Sequence, residues 1–531
     1  MNRYDAIIIG GGHNGLVCAC YLAAAGLKVR VLERRAVLGG AAVTEEFHPG
    51  FRNSIASYTV SLLHPRVIRD LRLAQHGLRI VERPFANFLP LPDGRAFRFG
   101  GPDGRAEVAK HSPRDAARLA DFHAMVERVA DVLRAMVLET PPNLGGGLRD
   151  VLQALRVGAR LRGLDMAARR DLLELFTRSA GELLDWWFES DALKAALGWD
   201  AVVGNYASPY APGSAYVLLH HAFGEVNGKR GVWGHAIGGM GAITQAMAAE
   251  ARARGVELSV ESPVARVANG RAAGVTLADG TTLDAPIVVG NVHPRLLYLG
   301  LVDAAALAAA DVDGDFRARM ERYQSGSGTF RMNVALAELP DFACVPGTDV
   351  QPHHRSGIVM APSLAYMDRC WLDARVHGIP AAPIVEMLLP STVDETLAPP
   401  GAHVATLFCQ HFAPTLPDGT SWDERRDAAV ERIFDTVNAH APNFRRAVLG
   451  WQALSPLDLE RTFGLVGGDI FHGRLSLDQL WSARPVPGHA DYRAPIRGLY
   501  LCGSGAHPGG GVTGAPGHNA AREILRDRPR R

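Results

Sequence analysis

The stretch Ala6-Ile7-Ile8-Ile9-Gly10-Gly11-Gly12-His13-Asn14-Gly15 decides the reading of this chain. A short apolar run of strand character feeds directly into a G-x-G-x-x-G turn, and the residues after it, Leu16 to Ala25, have helical composition and are closed by Gly26. Gly10 permits the sharp exit from the strand, Gly12 lets the backbone approach a pyrophosphate, and Gly15 lets the helix pack closely on the strand. Val29 to Leu32 reads as a second strand, ended by Glu33. That acid lies roughly 20 residues past the glycines, where a carboxylate accepts hydrogen bonds from an adenosine ribose. A lone glycine motif is weak evidence; turn, helix, second strand and terminal acid in register point to a dinucleotide site, with the helix N-terminus facing the phosphates.

The unit by itself does not separate FAD from NAD, since both present an ADP half. Arg34-Arg35 reads either as a phosphate contact or as a solvated edge, and Arg34, next to the acid, is kept among the nucleotide contacts.

The 531 residues are 47% hydrophobic and 21% charged with a formal net charge of +1, which describes a large globular chain of two or more domains and gives no sign of a nucleic-acid partner. Six cysteines without a C-x-x-C pair make neither a disulfide framework nor a zinc site, and Cys18 and Cys20 read as core of the first helix. Arg3 and Ala23-Ala24-Ala25 superficially resemble a secretory signal, but the glycine turn and Glu33 account for those residues, so a cytoplasmic chain is expected. No apolar run reaches the length of a membrane span.

Along the chain, 79–82, 88–91 and 96–100 alternate like a small antiparallel sheet. Ser112 and Pro113 open a helix to Leu138; further helices are expected over 148–161 and, as one long element, 166–197. The segment 151–164 sets Arg156, Arg160 and Arg162 among leucines. Its plainer reading is a solvated arginine face on a packed helix, and contact with a membrane surface is the alternative. A helix over 242–254, a meander to Leu283 and the apolar strand Ile287-Val288-Val289-Gly290 lead back toward the nucleotide unit. His353-His354, His377 and His411 lack ligand spacing and read as loop or core. The second strong signal is a buried strand, 498–503, running into the glycine loop Ser504 to Asn519 and a helix that Pro516 opens.

Three segments, 10–44, 238–291 and 498–524, resemble in order and spacing the phytoene desaturase and amine oxidase superfamily of FAD-dependent oxidoreductases. Leu38-Gly39-Gly40-Ala41-Ala42-Val43-Thr44 is similar to the extension that runs beneath the flavin there. Within the superfamily, Val232-Trp233-Gly234 and Gly503-Ser504-Gly505-Ala506-His507-Pro508-Gly509-Gly510-Gly511 most resemble the subgroup described as pyridine nucleotide-disulfide oxidoreductase domain-containing proteins. The resemblance implies an α/β fold: a discontinuous Rossmann-like FAD-binding domain (1–75, 235–295 and 490–531) and a mixed α+β substrate domain (76–234 and 296–489). It implies non-covalent FAD held by Gly10, Gly12, His13, Asn14, Gly15, Glu33, Arg34, Gly40 and Ala41, by Val264 at the adenine, and by Gly503, Val512 and Thr513 in the C-terminal loop. A helix N-terminus in that loop would stabilise negative charge on a reduced flavin. His507, the titratable side chain of the loop, is a candidate acid–base group there, with a purely scaffolding role as the alternative.

The activity so implied is removal of a hydride from a C–H bond of a lipophilic or polyene-like substrate onto flavin N5, with oxygen or a quinone as acceptor. Two alternatives stay open. Many amine oxidases of the superfamily hold a water with a lysine from the later substrate domain, whereas this chain has no lysine after Lys229, which disfavours C–N oxidation. A flavin-binding protein without turnover is the other. Disulfide chemistry and a dedicated nicotinamide domain are not expected, because no cysteine pair is visible beside the flavin segment and no second glycine unit exists. The oligomeric state is open.

Overall fold

The computed structural model describes residues 3–143, 145–267, 272–311 and 314–528. At its centre, Glu257–Ser259, Val29–Leu32, Ala6–Ile9, Ile287–Gly290 and Leu499–Leu501 lie side by side in that order in one five-stranded sheet, and every pairing is parallel. Ala6–Ile9 sits in the middle with all four residues buried, so its apolar run serves both faces. The helix His13–Ala24 follows the glycine turn, with Ala515–Asp527 and Met240–Ala253 packed against it. Two glycines set these distances. A Cβ on Gly15 would stand 2.4 Å from the Gly10 carbonyl oxygen, and one on Gly517 would stand 2.2 Å from that of Asn14, so neither contact tolerates a side chain.

A seven-stranded sheet forms the second layer, in the order Val448–Leu454, Phe330–Leu336, His403–Gln410, Ile384–Leu388, Gly357–Met360, Asn87–Pro90 and Ala96–Phe99. Here the structure corrects the sequence reading. Ile80–Glu82 does not join the next two strands but pairs with Gly234–Ala236, while Asn87–Pro90 and Ala96–Phe99 form a hairpin on the edge of the large sheet. Pro84 falls between the two pieces and has no N–H to continue a ladder. All of Asn87–Pro90 is buried, which calls for a neighbour on each side.

Helices cover the remaining side. Pro113–Val137 begins as read, with the Ser112 hydroxyl accepting from the Asp115 amide at 3.0 Å. The expected single helix over 166–197 is instead three, Met166–Thr177, Ala180–Trp187 and Asp191–Val202. Ser179 and Ser190, which fall inside that span, are N-caps that accept from the amides of Glu182 and Leu193. Serine competes for backbone hydrogen bonds, so an unbroken apolar period across it misleads. Leu148–Arg162 is a helix, but none of its residues is buried; the packed helix expected there is not what the structure shows. Among the described residues no helix is long and apolar enough to cross a membrane.

The core holds imidazoles as neutral groups. Burial pushes His411 and His507 down to about 3, and both ring nitrogens of His411 lack partners. An unfolded histidine takes up a proton near pH 6.5 while these do not, so their stabilising contribution is complete above that pH and is lost as the pH falls toward 3. The denaturant midpoint of the protein is therefore expected to fall steeply between pH 7 and pH 5. Replacing His411 with Phe should flatten that slope by about 1.4 kcal/mol per pH unit; an unchanged slope in the variant would contradict the neutral assignment.

Candidate active site

At the carboxyl ends of the parallel strands a cleft of about 260 Å³ runs past Gly10, Glu33 and Asn291, the place where α/β sheets bind ligands. Glu33 closes it structurally. One carboxylate oxygen accepts from the Gly11 amide and the other from the Arg35 amide, each at 2.9 Å. The Asn291 side chain donates to the Gly10 carbonyl at 3.0 Å, fixing the turn from the opposite side. The helix His13–Ala24 carries no acid in its first turn, so its positive end is offered to a ligand.

A second lobe of about 110 Å³ shares His13, Ala41, His472 and Ser504 with the first and is walled by Tyr58, Trp233, Phe408 and Phe471. Its base is a row across three strands. The sheet register sets Arg331 opposite Phe408 and Phe408 opposite Glu386, all on one face. Tyr58 lies over that row. Its ring stacks on Phe408 at 4.9 Å, the Arg331 guanidinium sits 4.9 Å from its centroid, and its hydroxyl donates to Glu386. Arg331 is fully buried and donates to the carbonyls of Ala56 and Leu407, each at 2.9 Å. Burial raises the Glu386 carboxyl, and Arg83 at 3.6 Å opposes that. Burial holds the Tyr58 phenol far above its ordinary range, so it stays a donor.

Three neutral imidazoles border the lobes. Burial pushes His13 and His221 to about 4 and His472 to about 3. Nε2 of His13 and Nδ1 of His472 are buried without partners. Nδ1 of His221 lies 2.9 Å and 3.0 Å from the carbonyls of Val217 and Asp200. Carbonyls only accept, so that nitrogen carries the proton and Nε2 is left with a lone pair.

Of the residues singled out in the sequence, Gly10, Gly12, His13, Glu33, Arg34, Gly40, Ala41 and Val264 line the first lobe and Val512 the second. Val512 has φ 57, a left-handed conformation that costs a β-branched residue energy and is retained here at the cavity wall. Asn14, Gly15, Gly503 and Thr513 do not line the cleft. Asn14 donates to the Ser504 hydroxyl at 3.2 Å, Gly15 packs on the turn, a Cβ on Gly503 would meet Asn291 at 3.3 Å, and Thr513 accepts from the Ala515 amide at 3.1 Å; they shape the walls from behind.

His507 is a correction. Its ring does not turn to the cleft but into a separate apolar chamber of about 550 Å³. Nε2 bonds the Met136 carbonyl at 3.2 Å, and the edge meets Trp481 at 4.5 Å. Met136 lies in the last turn of its helix, and its carbonyl, which already accepts the Glu139 amide at 2.9 Å, meets the imidazole as a second partner. The sequence also gave no reason to pair Cys18 with Cys502. Their thiols meet inside the core, and neither lines the cleft.

Sequence reasoning missed Tyr58, Glu386, Arg331, His221 and His472. A signal existed for two of them: Arg331 and Glu386 each interrupt an apolar strand, Phe-Arg-Met-Asn-Val and Ile-Val-Glu-Met-Leu, and a charge inside a buried strand needs an explanation.

Comparison with known proteins agrees with this geometry. The family model described as flavin containing amine oxidoreductase matches residues 15–312. Pyridine nucleotide-disulfide oxidoreductase domain-containing protein 2 of Rattus norvegicus is 41% identical over 99% of this chain and 94% of its own. A lycopene-forming phytoene desaturase of Pseudescherichia vulneris is 25% identical, covering 96% of both chains. A solved structure of a redesigned putrescine oxidase shares the fold with a TM-score of 0.60 at 17% identity, over 99% of this chain and 98% of that one. With a parallel dinucleotide-type sheet, a mixed second sheet and a two-lobed cleft between them, the chain belongs to the flavin amine oxidase and phytoene desaturase superfamily of flavin-dependent oxidoreductases.

Proposed function

We propose that this protein is an FAD-dependent oxidoreductase that removes a hydride from a C–H bond of a lipophilic small molecule. The observation that carries the reading is the continuity of a backbone-lined nucleotide lobe with an aromatic-walled lobe through His13, Ala41, His472 and Ser504. The residues present fit the cofactor: Glu33 keeps lone pairs free for ribose hydroxyls beyond the two amides it accepts, and the unpartnered His13 and His472 nitrogens supply polar atoms where the lobes meet. FAD, when bound, supplies two-electron acceptance from the substrate and return of those electrons to oxygen or a quinone.

The chain's own residues do the rest. The first-helix N-terminus and the glycine turn balance phosphate charge. Tyr58, Trp233, Phe408 and Phe471 enclose an apolar substrate and exclude water. The Arg331–Phe408–Glu386 row holds Tyr58 rigid from below. Loss of a hydride from one carbon leaves a proton to be removed from the next; Nε2 of His221, unprotonated because Nδ1 carries the proton, takes it at the wall of the lobe. The hydrocarbon substrate named for the Pseudescherichia vulneris relative supports C–H over C–N oxidation here.

The test is an anaerobic screen of the purified flavoprotein against apolar alkenes, polyenes and amines. Lipophilic compounds are expected to bleach the flavin, and oxygen or a quinone to restore it. Bleaching by amines alone would move the reaction to a C–N bond, and no bleaching by any compound, with a reduced flavin inert to both acceptors, would leave a binding protein without turnover.

Glu33→Ala should weaken FAD binding by about 1.5–3 kcal/mol, the worth of hydrogen bonds to a charged group, read as a rise in Kd for the reconstituted apoprotein; unchanged affinity would mean the acid does not meet the ribose. With a substrate from the screen, His221→Leu should keep its FAD and slow flavin bleaching about 10²-fold. His221 loses its lone pair only near pH 4, so the wild-type rate should stay level on the acid side down to about pH 5. An acid limb near pH 6.5, or a wild-type rate in the variant, would exclude His221 as proton acceptor.

A further inference from the structure

The helix Leu148–Arg162 presents two different apolar sides. Val157 and Leu161 line the 550 Å³ chamber, while Leu148, Val151, Leu152 and Leu155, one turn apart on another side, are exposed, Leu148 to 77% and Leu155 to 64%. The next helix adds Met166 and Leu173, exposed to 67% and 64%. Single exposed leucines need no explanation, but so many on adjoining helices form a patch.

Its charge is one-sided. Between residues 148 and 173 stand six arginines and three aspartates, and the aspartates are engaged. Asp150 accepts from the Asn143 amide at 2.8 Å, Asp165 caps its helix on Ala168 at 2.7 Å, and Asp171 pairs with Arg128 at 2.6 Å. Arg149 and Arg160 pair with Glu523 and Glu139. Among the described residues Arg156, Arg162, Arg169 and Arg170 have no carboxylate partner, and all four are exposed. Arg156 lies beside the outward leucines on its helix, since 3.6 residues make a turn.

We propose that this face is a docking surface for an anionic lipid surface. The leucines enter the acyl boundary while the unpaired arginines lie among the headgroup phosphates, which is how a two-faced basic helix binds an interface without crossing it. The chamber supports the choice. Arg169 and Leu173, from the helix that follows, both line it and are exposed, so it reaches the surface beside one of the unpaired arginines, where an apolar molecule carried in the bilayer would enter without passing through water. A second copy of the chain is a poorer occupant: a two-fold pairing of this patch would set arginines against arginines. The proposal does not depend on the chemistry at the aromatic-walled lobe.

The test uses the full-length flavoprotein and sedimentation with vesicles of phosphatidylcholine alone or mixed with phosphatidylglycerol. The protein is expected to pellet with the phosphatidylglycerol vesicles and to be released by salt. The double variant Leu152→Glu, Leu155→Glu should lower that partition at least about 10-fold, with flavin absorbance and thermal unfolding as in the wild type, because neither residue is buried. Arg156→Gln with Arg170→Gln should erase the preference for the anionic vesicles. The proposal is overturned if the wild type stays in the supernatant with both vesicle types, if the leucine variant pellets like the wild type, or if the patch proves to hold a dimer that the same variant splits.

Discussion

The cleft depends on one buried guanidinium. Arg484 is fully buried, and its two terminal nitrogens donate to the carbonyls of Phe471 and Ser504, each at 2.8 Å, and more loosely to those of Gly473, Arg474 and Gln479. Phe471 and Ser504 are cavity-wall residues from segments far apart in sequence, and His472 lies between two of the bonded carbonyls. A buried charge is costly unless its donors are satisfied. Here the cost is offset by the carbonyls gathered around the two terminal nitrogens, Nε being without a partner, together with the nearby Asp469, itself held by the amides of Gly326 and Phe471 at 2.8 Å. The loop 469–484 and the C-terminal loop therefore form one body, and that body closes the lobes.

The opposite wall is fixed by smaller contacts with the same consequence. Glu33 on the Gly11 amide, Asn291 on the Gly10 carbonyl and Asn14 on Ser504 join the first helix, the return strand and the C-terminal loop. Each bond is made within the chain, so the turn is held from both sides and its amides keep one direction. Strain is retained at one point of this wall, Val512 with φ 57, where the surrounding loop overrides the preference of the residue.

What the sequence made legible follows from distance along the chain. The glycine turn, Glu33 and the C-terminal glycine loop are local devices: their residue types are dictated by backbone geometry within a few positions, so they read directly, and the family resemblance added the order in which they assemble. Tyr58 and Glu386 stand 328 residues apart, and Arg331 reaches the Ala56 carbonyl across 275. Nothing in either strand announces that register will set Arg331, Phe408 and Glu386 in one row. The failures have the same cause. His507 belongs to the loop by sequence, but its ring turns to an acceptor and an apolar wall supplied by segments remote in sequence, the Met136 carbonyl and Trp481. Ser179 and Ser190 were lost in an apolar period that continued on both sides of them, although a serine ahead of a helical turn is itself a start signal.

The composition takes on a meaning once these sites are known. Basic residues number 56, of which only four are lysines, and the buried cations of the fold show what arginine offers in their place. Arg331 donates to three carbonyls in different directions while its flat face lies under Tyr58. Arg484 divides its two terminal nitrogens among five carbonyls. A lysine carries all its donors on one nitrogen and has no planar face, so it could neither span the loops that Arg484 joins nor support an aromatic ring while bonding the backbone. It would also lose its proton more readily when buried, leaving carbonyls without a charged donor. Burial brings Arg331 only to about 10, well above neutrality. The charge beneath the aromatic lobe is therefore permanent, and Tyr58 and Glu386 are held against a cation that physiological pH does not remove.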